Sequence, residues 1–473
     1  MPDSPESRAR RIPSIDILLQ DPELAKATAA LPRRLVVDAV RQAAAEVRSA
    51  LLKDTSAEPS DETLRTMIRD RAVRAARAVM APHFRKAINA TGIILHTGLG
   101  RAVLPKAALR QIAEQLDGYS LLQMGAETGK RSSRDERLEA LLRQLTGCEA
   151  ATVVNNNAAA TMLVLNTVAN GRDCLVSRGQ LVEIGGSFRL PDVMAASGAR
   201  LVEVGTTNKT HLRDYERAIT ENTAAILRVH PSNYKIYGFT SEVPLADLIA
   251  LAHAKNIPLI DDVGAGALMD FSRFGFQDQA TLADSIRAGA DLTTSSADKL
   301  IGSSQGGIIL GRQALIEKVR KNPLARILRV GKLTLAALEA TLKLFLDEDT
   351  ALREVPTLAM LARAPDDLHA QAHRLAAALA KARVAADVQV LDGFSQMGSG
   401  SLPTQDIPTC LVAVTATALS ADDFALRLRT QEPPVFARIQ HDQLLFDPRT
   451  LQEGEEPLLV AGITAALKPD GEN

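Results

Sequence analysis

The sequence predicts an α/β protein with a mostly parallel central sheet, a helical N-terminal domain and a small C-terminal α/β domain. From about residue 88, short apolar runs alternate with helical patterns, and this alternation is typical of βαβ units. The stretch before it has apolar residues at helical spacing. A chain of 473 residues is too long for one simple core. We therefore expect domains at residues 1–86, 87–331 and 332–473.

Composition narrows the class of protein. The chain is 46% hydrophobic and 23% charged, which is ordinary for a globular protein. Its apolar runs are shorter than the roughly 20 residues that span a bilayer, and its N-terminus lacks the apolar core of a signal peptide. Cys148, Cys174 and Cys410 are too few and too scattered for a disulfide framework or a zinc cluster. We expect a cytoplasmic protein.

The N-terminal stretch predicts two main helices. Leu35–Arg48 has apolar residues at helical spacing after Pro32. Thr55–Asp61 is a predicted loop, with Ser60 or Asp61 as the N-cap of a second helix. That helix carries Arg65, Arg69, Arg71, Arg74 and Arg77.

The net charge of the whole chain is −1, but residues 1–86 contain 16 Lys or Arg against 12 Asp or Glu. This small excess fits either an RNA-binding surface or an ordinary solvated helical face.

The predicted large domain contains seven apolar runs that we expect to be strands. They are Ala150–Val154, Cys174–Ser177, Arg200–Val204, Ala224–Val229, Ile257–Asp262, Leu292–Ser295 and Gly307–Leu310. In the C-terminal domain, a long amphipathic helix, Lys332–Phe345, precedes the predicted strands Ala386–Leu391, Thr409–Val414 and Gln443–Phe446. Ligands in such folds bind beyond the carboxyl ends of the strands, so chemistry is expected in the turns that follow the runs.

The first such turn is Asn155–Asn157, between the run Ala150–Val154 and the predicted helix Met162–Val168. A strand, a small polar turn and a helix N-terminus together form a cradle for an anion such as a phosphate. The alternative is that one of these asparagines simply caps the helix.

The second turn follows Leu259-Ile-Asp-Asp-Val-Gly-Ala-Gly266, where two acids end a predicted strand. Asp262 could pair with a cationic ring nitrogen, as pyridoxal phosphate (PLP) requires to accept electrons. Asp261 should then point to the opposite face of the sheet. Taken alone, a helix-capping acid explains Asp262 equally well.

The third turn is Ser295-Ser-Ala-Asp-Lys-Leu-Ile-Gly302, followed by Gln305-Gly-Gly-Ile-Ile-Leu-Gly311. Lys299 stands among small residues just after a predicted strand, which suits a lysine that forms a Schiff base. Most lysines are merely solvated. The order of a phosphate turn, a strand-end acid and then this lysine makes the pattern specific.

Arginines supply candidate anion ligands. Arg326 and Arg329 are three residues apart and would share a face if both were helical. They could then clamp a tetrahedral oxyanion, although a solvated basic face has the same pattern. Arg101, on the glycine turn of His96-Thr-Gly-Leu-Gly-Arg-Ala102, is a similar candidate.

Long motifs in order along nearly the whole chain carry a family resemblance. They are Leu31-Pro-Arg-Arg-Leu-Val-Val, Ile88-Asn-Ala-Thr-Gly-Ile-Ile-Leu-His-Thr-Gly-Leu-Gly-Arg-Ala102, Glu127-Thr-Gly-Lys-Arg-Ser-Ser-Arg134, Ser177-Arg-Gly-Gln-Leu-Val-Glu-Ile-Gly-Gly-Ser-Phe-Arg189, Val204-Gly-Thr-Thr-Asn-Lys-Thr-His211, Val229-His-Pro-Ser-Asn-Tyr-Lys-Ile, Ser296-Ala-Asp-Lys-Leu-Ile-Gly and Pro433-Pro-Val-Phe-Ala-Arg-Ile. With them the sequence resembles the bacterial selenocysteine synthases, the L-seryl-tRNA(Sec) selenium transferases.

The resemblance implies a PLP-dependent transferase of fold type I. In it, Lys299 attaches the cofactor and Asp262 is the partner of its pyridine nitrogen. Ser296 and the Asn155–Asn157 turn complete the predicted cofactor site, and Gln180 and Ser187 are candidates for stacking on the ring. The resemblance assigns to the reaction Lys299, Asp298 beside it, and the selenophosphate-binding arginines Arg101, Arg326 and Arg329.

The implied reaction converts L-seryl-tRNA(Sec) to L-selenocysteinyl-tRNA(Sec) through a dehydroalanyl-tRNA intermediate, with selenophosphate as the selenium donor. Lys299 would remove the Cα proton of the seryl group. The resemblance also implies that the N-terminal domain binds tRNA(Sec) and that the chains assemble as a ring of dimers, typically a homodecamer.

The sequence departs from the family pattern at a few places. Gly98 replaces a usual Asn, Ser303-Ser304 replaces a usual Gly-Pro, and Ala437 replaces a usual Gly. None of these changes removes a proposed catalytic group, although Gly98 removes a possible side-chain hydrogen bond near Arg101.

Three alternative functions remain open at this point. One is a PLP-dependent ammonia-lyase or aldolase that acts on a small amino compound, and another is a non-enzymatic RNA-binding protein. The third is a cysteine-desulfurase-like sulfur carrier, which would need a reactive cysteine. Cys148 and Cys174 have apolar or strand-like neighbours, and Cys410 lies in the small domain.

Overall fold

The structure is a computed structural model, and it describes residues 5–53, 59–185, 188–231, 233–276, 279, 281–402 and 405–468. The chain divides into two compact units, Met1–Lys86 and Ala87–Asn473. The further domain boundary expected at residues 331 and 332 stays a prediction. Among the described residues, no helix combines the length and the apolar character needed to cross a membrane.

The first unit is helical. Its helices are α1 (Pro5–Arg10), α2 (Ile15–Leu19), α3 (Pro22–Ala27), α4 (Arg33–Lys53) and α5 (Asp61–Met80). The apolar stripes of α4 and α5 supply much of one core, with Val40, Val47, Leu64 and Ile68 buried. Ser60 caps α5, because its side chain accepts a hydrogen bond from the backbone N–H of Thr63. Residues 55–58 of the predicted loop lie outside the described residues.

The strands of the second unit form several sheets of different sizes. In chain order they are β1 (Ile88–Asn89), β2 (Ala150–Val154), β3 (Asp173–Ser177), β4 (Glu183–Ile184), β5 (Phe188–Arg189), β6 (Arg200–Val204), β7 (Thr223–Val229), β8 (Leu259–Gly264), β9 (Leu292–Ser296), β10 (Gly307–Gly311), β11 (Ala386–Ser395), β12 (Ile407–Ala416), β13 (Val435–Phe436), β14 (Arg438–Gln440) and β15 (Gln443–Phe446). Every expected strand is present, with ends that differ by a few residues.

The helices of the second unit follow the same order. They are α6 (Lys106–Gln115), α7 (Glu136–Thr146), α8 (Asn157–Ala169), α9 (Leu190–Ser197), α10 (Leu212–Ala218), α11 (Leu245–Ala254), α12 (Leu282–Ala288), α13 (Gln313–Lys321), α14 (Pro323–Ile327), α15 (Lys332–Leu344), α16 (Glu348–Glu354), α17 (Pro356–Leu361), α18 (Pro365–Lys381), α19 (Ala421–Thr430) and α20 (Glu455–Ala466).

The central sheet is mostly parallel, as predicted. In the described part of the chain its order is β2-β10-β9-β8-β7-β3-β6. The pairings β9-β8, β8-β7, β7-β3 and β3-β6 are parallel, whereas β10 runs antiparallel to β2 and β9. Consequently β2, β8 and β9 all have their carboxyl ends at one edge.

Both faces of this sheet are buried, which explains why its strands are continuously apolar. Successive residues of a strand point to opposite faces, so Leu175 and Val176 belong to different hydrophobic clusters. Helices α8, α9 and α13 contribute to the cluster of Val176, and α10 and α11 contribute to that of Leu175.

The C-terminal sheet is antiparallel in the order β11-β12-β15-β14. Helices α18, α19 and α20 share a core with it, through side chains such as Leu375, Phe424 and Ile463. The start of the expected large domain pairs with the end of the chain, because Ile88 lies opposite Val435 in the parallel pair β1-β13.

Candidate active site

The turns predicted to carry chemistry converge at the carboxyl edge of the central sheet. Val154, the last residue of β2, lies opposite Gly307 of β10. Gly307 in turn lies opposite Ser296, the buried last residue of β9. On the other side of β9, Asp262 of β8 is in register with Thr294. The polar turn after β2, the acid of β8 and the lysine after β9 therefore share one edge.

Gly307 allows the start of β10 to lie against the asparagine turn. A Cβ atom built on Gly307 would stand 2.0 Å from the carbonyl oxygen of Asn156. Any side chain there would force the two backbones apart. The glycine thus fixes the distance between the turn after β2 and the segment that follows Lys299.

The three asparagines of the turn have different surroundings. Asn156 is the N-cap of α8 and accepts a hydrogen bond from the N–H of Ala159. Asn157 begins α8, five residues before the expected start at Met162, and its amide donates to Asp262 at 2.9 Å. Asn155 has an exposed side chain. The capping alternative is therefore correct for Asn156, and phosphate binding at this turn stays a prediction.

Asp262 is buried and is held by hydrogen bonds from its neighbours. Besides Asn157, the hydroxyl of Thr161 donates to its second oxygen at 3.1 Å, and the N–H of Gly264 donates at 3.1 Å. Burial raises the pKa of Asp262, and these hydrogen bonds offset part of the rise. Such a carboxylate is poised to gain from a cationic partner.

Asp261 points to the other face of β8, as the alternation of the strand predicts. Its carboxylate pairs with Arg228 at 2.8 Å and accepts a hydrogen bond from Ser285 at 2.6 Å. With both oxygens engaged, Asp261 has a structural role.

Lys299 is buried, with only 6% of its surface exposed. Burial is the main cause that lowers its pKa, and the positive charge of Arg101 lowers it further. The carboxylates of Asp298 and Asp262 act in the opposite direction. An amine whose pKa is lowered in this way is more often uncharged, as a nucleophile or base must be.

Arg101 and Asp298 form an ion pair beside this lysine. The Nη1 atom of Arg101 lies 2.7 Å from a carboxylate oxygen of Asp298, although the two residues are far apart in sequence. Arg101 has a left-handed backbone, with φ of 63°, and its N–H bonds to the carbonyl of His96. The glycine turn therefore folds back and directs Arg101 toward the lysine.

The expectation that Arg326 and Arg329 share a helical face is wrong. Helix α14 ends at Ile327, and the N–H of Leu328 closes its last turn on the carbonyl of Leu324. Arg329 is extended and forms a bridge with Val154, while the carbonyl of Leu328 accepts from the N–H of Asn155. Pairing with the turn after β2 thus ends the helix.

A third arginine that was not singled out from the sequence joins these two. Arg134 donates to the carbonyl of Val330 and to Gln123, each at 2.9 Å. Burial lowers its pKa, and the charges of Arg329 and Arg326 lower it further. Arg326 and Arg329 themselves are exposed, and neither has an ion pair among the described residues. The only signal in the sequence was the motif that ends at Arg134.

Two other expectations concern the pyridine ring. Gln180 is buried, and its side-chain oxygen accepts from the N–H of Val229 at 3.1 Å at the end of β7. Ser187 lies outside the described residues. Stacking of Gln180 on the ring stays a prediction.

The cysteines weigh against a sulfur-carrier mechanism. All are buried, and burial raises the pKa of each thiol, that of Cys174 to about 12. A nucleophilic cysteine needs a lowered pKa.

The residues at the sheet edge fit PLP. The site offers an amine whose pKa is lowered by burial and a buried carboxylate for the pyridine nitrogen. Two buried polar atoms, Asn157 Oδ1 and Ser303 Oγ, have no hydrogen-bond partner in the described part of the chain. Buried polar groups are normally paired, so a polar ligand is the expected partner.

The architecture defines the class of protein. A solved structure of D-glucosaminate-6-phosphate ammonia-lyase superposes with a TM-score of 0.57 and 20% sequence identity, over 83% of this chain and 97% of that one. The fold is that of the PLP-dependent transferases of fold type I.

The family follows from sequence comparison. Residues 87–452 match the family described as L-seryl-tRNA selenium transferase, and residues 9–48 match the family described as selenocysteine synthase N terminal. The L-seryl-tRNA(Sec) selenium transferase of Desulfomicrobium baculatum is 47% identical over 97% of this chain and 98% of its own length. That of Alkaliphilus metalliredigens is 44% identical over 97% and 98%. The chain belongs to the L-seryl-tRNA selenium transferase family.

Proposed function

We propose that this protein is a PLP-dependent L-seryl-tRNA(Sec) selenium transferase that makes L-selenocysteinyl-tRNA(Sec) with selenophosphate as the selenium donor. The observation that carries the proposal is the buried Lys299 amine, flanked by Asp298 and Arg101, in a chain of this family. PLP is the cofactor, and when bound it withdraws electron density from the seryl Cα.

Lys299 is the attachment point and then the base. Because burial and Arg101 lower its pKa, the released amine is uncharged for a larger fraction of the time and can accept the Cα proton. Asp262 would be the partner of the pyridine nitrogen and would favour its protonated form. Its burial makes an unpaired negative charge costly, so it favours a cationic partner.

Arginines orient the selenium donor. A guanidinium has five N–H donors, so Arg101 can bind Asp298 and still present donors to a phosphate. Arg326 and Arg329 are exposed and free of ion pairs within the described residues, and a tetrahedral anion would gain from both. Their positive charges both lower the pKa of Arg134, and a bound anion would offset this repulsion.

The N-terminal unit recognises tRNA(Sec) in this proposal. Its match to the selenocysteine synthase N-terminal family, over residues 9–48, and its excess of basic residues support this role. Because the substrate is an aminoacylated tRNA, which is found in the cytoplasm, the reaction implies a cytoplasmic enzyme. We also propose a ring of dimers, typically ten chains, as the working assembly.

A direct assay tests the function. Purified protein is incubated with Ser-tRNA(Sec) and selenophosphate, and the amino acid released from the tRNA is identified. We expect selenocysteine from the wild type and none from Lys299→Ala, with tRNA(Sec) binding largely retained. Lys321→Ala, which removes an exposed lysine at the end of α13, is the matched control. Selenocysteine formation by Lys299→Ala would refute the assignment.

A second measurement separates this function from that of a small-molecule lyase. A gel shift compares tRNA(Sec) with tRNA(Ser), and clear preference for tRNA(Sec) is expected. Equal, weak binding of both would favour a small amino compound as substrate.

A further inference from the structure

Three side chains with metal-binding atoms meet beside the C-terminal sheet, away from the central sheet and its lysine. Asp392 of β11 lies opposite Cys410 of β12 in the antiparallel register, and residues paired in this way point to the same face of a sheet. His369, in the first half of α18, reaches the same point. Its Nε2 lies 3.3 Å from Oδ1 of Asp392, and the three potential ligand atoms all lie within 4.8 Å of one another.

We propose that His369, Asp392 and Cys410 form a binding site for a divalent cation of the zinc class. The set combines an imidazole nitrogen, a carboxylate oxygen and a thiolate sulfur, and zinc takes all three. A thiolate disfavours Mg²⁺ and Ca²⁺, which prefer oxygen ligands. Three protein ligands leave a fourth tetrahedral position for water.

The separation of the atoms suits one shared ion. Zinc binds nitrogen or oxygen at about 2.0–2.2 Å and sulfur at about 2.3 Å, so its ligand atoms are about 3–4 Å apart. The His369–Asp392 distance is already in that range. The sulfur of Cys410 lies within 4.8 Å of both of these atoms. The side chains of His369 and Asp392 are 44% and 86% exposed, so both have room to move toward a shared ion.

A groove gives solvent access to the site. A cavity of about 380 Å³ has His369 and Asp392 in its wall, together with Phe394 and Thr409. Cys410 is fully buried and does not line the groove, but its sulfur lies within 4.8 Å of the ligand atoms of His369 and Asp392. An ion that enters the groove would first meet these two exposed ligands. It would then bind the sulfur behind them and release the thiol proton to solvent.

The ion would link α18 to β11 and β12. Without it, the contact between His369 and Asp392 joins two largely exposed side chains, and such surface contacts contribute little to stability. With it, one helix and two strands share a common centre. A stabilising role follows, because a ligand that binds only the folded state raises its stability.

Metal binding by the full-length holoenzyme tests the proposal. Wild type freed of metal with a chelator is titrated with Zn²⁺ in competition with a chromophoric chelator, and about one tight site per chain is expected. His369→Ala and Asp392→Asn should weaken that site about tenfold or more. Matched controls are His373→Ala, one turn further along α18, and Asp387→Asn, whose side chain lies on the opposite face of β11; both should leave the affinity unchanged.

Cobalt identifies the sulfur ligand. Co²⁺ bound to the wild type should give a near-ultraviolet thiolate charge-transfer band that is absent from Cys410→Ser and retained in Cys148→Ser. Should Cys410→Ser fail to fold, loss of the same band in His369→Ala carries the test. Wild type without a tight site, or equal affinity in His369→Ala, would overturn the proposal.

Discussion

At the scale of single residues, burial has a larger effect than any one neighbouring charge on the pKa values of Lys299 and Asp262. Burial is the first cause of the lowered pKa of Lys299 and of the raised pKa of Asp262. Both effects favour the uncharged form, as desolvation does for any ionisable group. The neighbouring charges then adjust each group, and they can be changed one at a time.

Asp298 and Arg101 act in opposite directions on the pKa of Lys299, so their removal should shift the pH dependence of kcat in opposite directions. Asp298→Asn removes a charge that raises the pKa of Lys299, so the amine should lose its proton at lower pH. Arg101→Gln removes a charge that lowers that pKa, so the amine should lose its proton at higher pH. The acid limb of kcat against pH should therefore move to lower pH in the first variant and to higher pH in the second. Shifts in the same direction would contradict the account.

Asp262→Asn tests the partner of the cofactor nitrogen. The amide keeps the shape but cannot balance a positive ring, and a hydrogen bond to a charged group contributes about 1.5–3 kcal/mol. We expect PLP affinity or kcat to fall about 10- to 100-fold, measured by fluorescence titration and the selenocysteine assay. Asp261→Asn is a poor control because it leaves Arg228 unpaired, so Asp422→Asn, an exposed residue of α19, serves instead. Wild-type activity in Asp262→Asn would remove the residue from the site.

At the scale of elements, the reversed strand β10 brings the site together. It lies between β2 and β9, and its first residue, Gly307, touches the backbone of Asn156. The sequence placed this strand correctly, but its direction depends on the sheet order. The same holds for α14, whose end depends on the pairing of Arg329 with Val154.

Gly307→Ala should push the start of β10 away from the backbone of Asn156. The new Cβ would stand 2.0 Å from a carbonyl oxygen, and overpacking of this kind costs about 1–3 kcal/mol. We expect a lower free energy of unfolding in urea and weaker PLP binding. Gly331→Ala, with no atom within 4 Å of the new Cβ and an ordinary φ of −90°, should leave PLP binding unchanged. It should lower the free energy of unfolding by less than Gly307→Ala does, because it only replaces the N-cap residue of α15 with a poorer one. Equal behaviour of the two variants would argue against a tight junction.

At the scale of the whole molecule, the chain forms two compact units, divided between Lys86 and Ala87, and the described helices of the first have a core of their own. Catalytic chemistry and the proposed RNA recognition thus reside in separate parts of the chain. Each part should keep its own property when the other is removed.

A protein of residues 87–473 should therefore fold and bind PLP as the full chain does, because the proposed cofactor residues all lie in the second unit. Its affinity for tRNA(Sec) should fall at least about tenfold. The remaining binding should depend less on salt, since fewer phosphates are contacted. Calorimetry, PLP absorbance and gel shifts at two salt concentrations measure these quantities. Full tRNA affinity in the truncated protein would move the recognition surface into the second unit.

The sequence by itself determined the order of strands and helices and the turns where Asp262 and Lys299 stand. These features have local signals: an apolar run, a polar turn and small residues around a lysine. The tertiary structure alone decided that Arg101 meets Asp298 across 197 residues, that Arg134 joins Arg326 and Arg329, and that His369 and Asp392 approach Cys410. Cys410 had been set aside as one of three scattered cysteines. The physical reason is that periodicity records which face of an element is buried, whereas contacts between distant side chains depend on sheet order, strand direction and the point at which a helix ends.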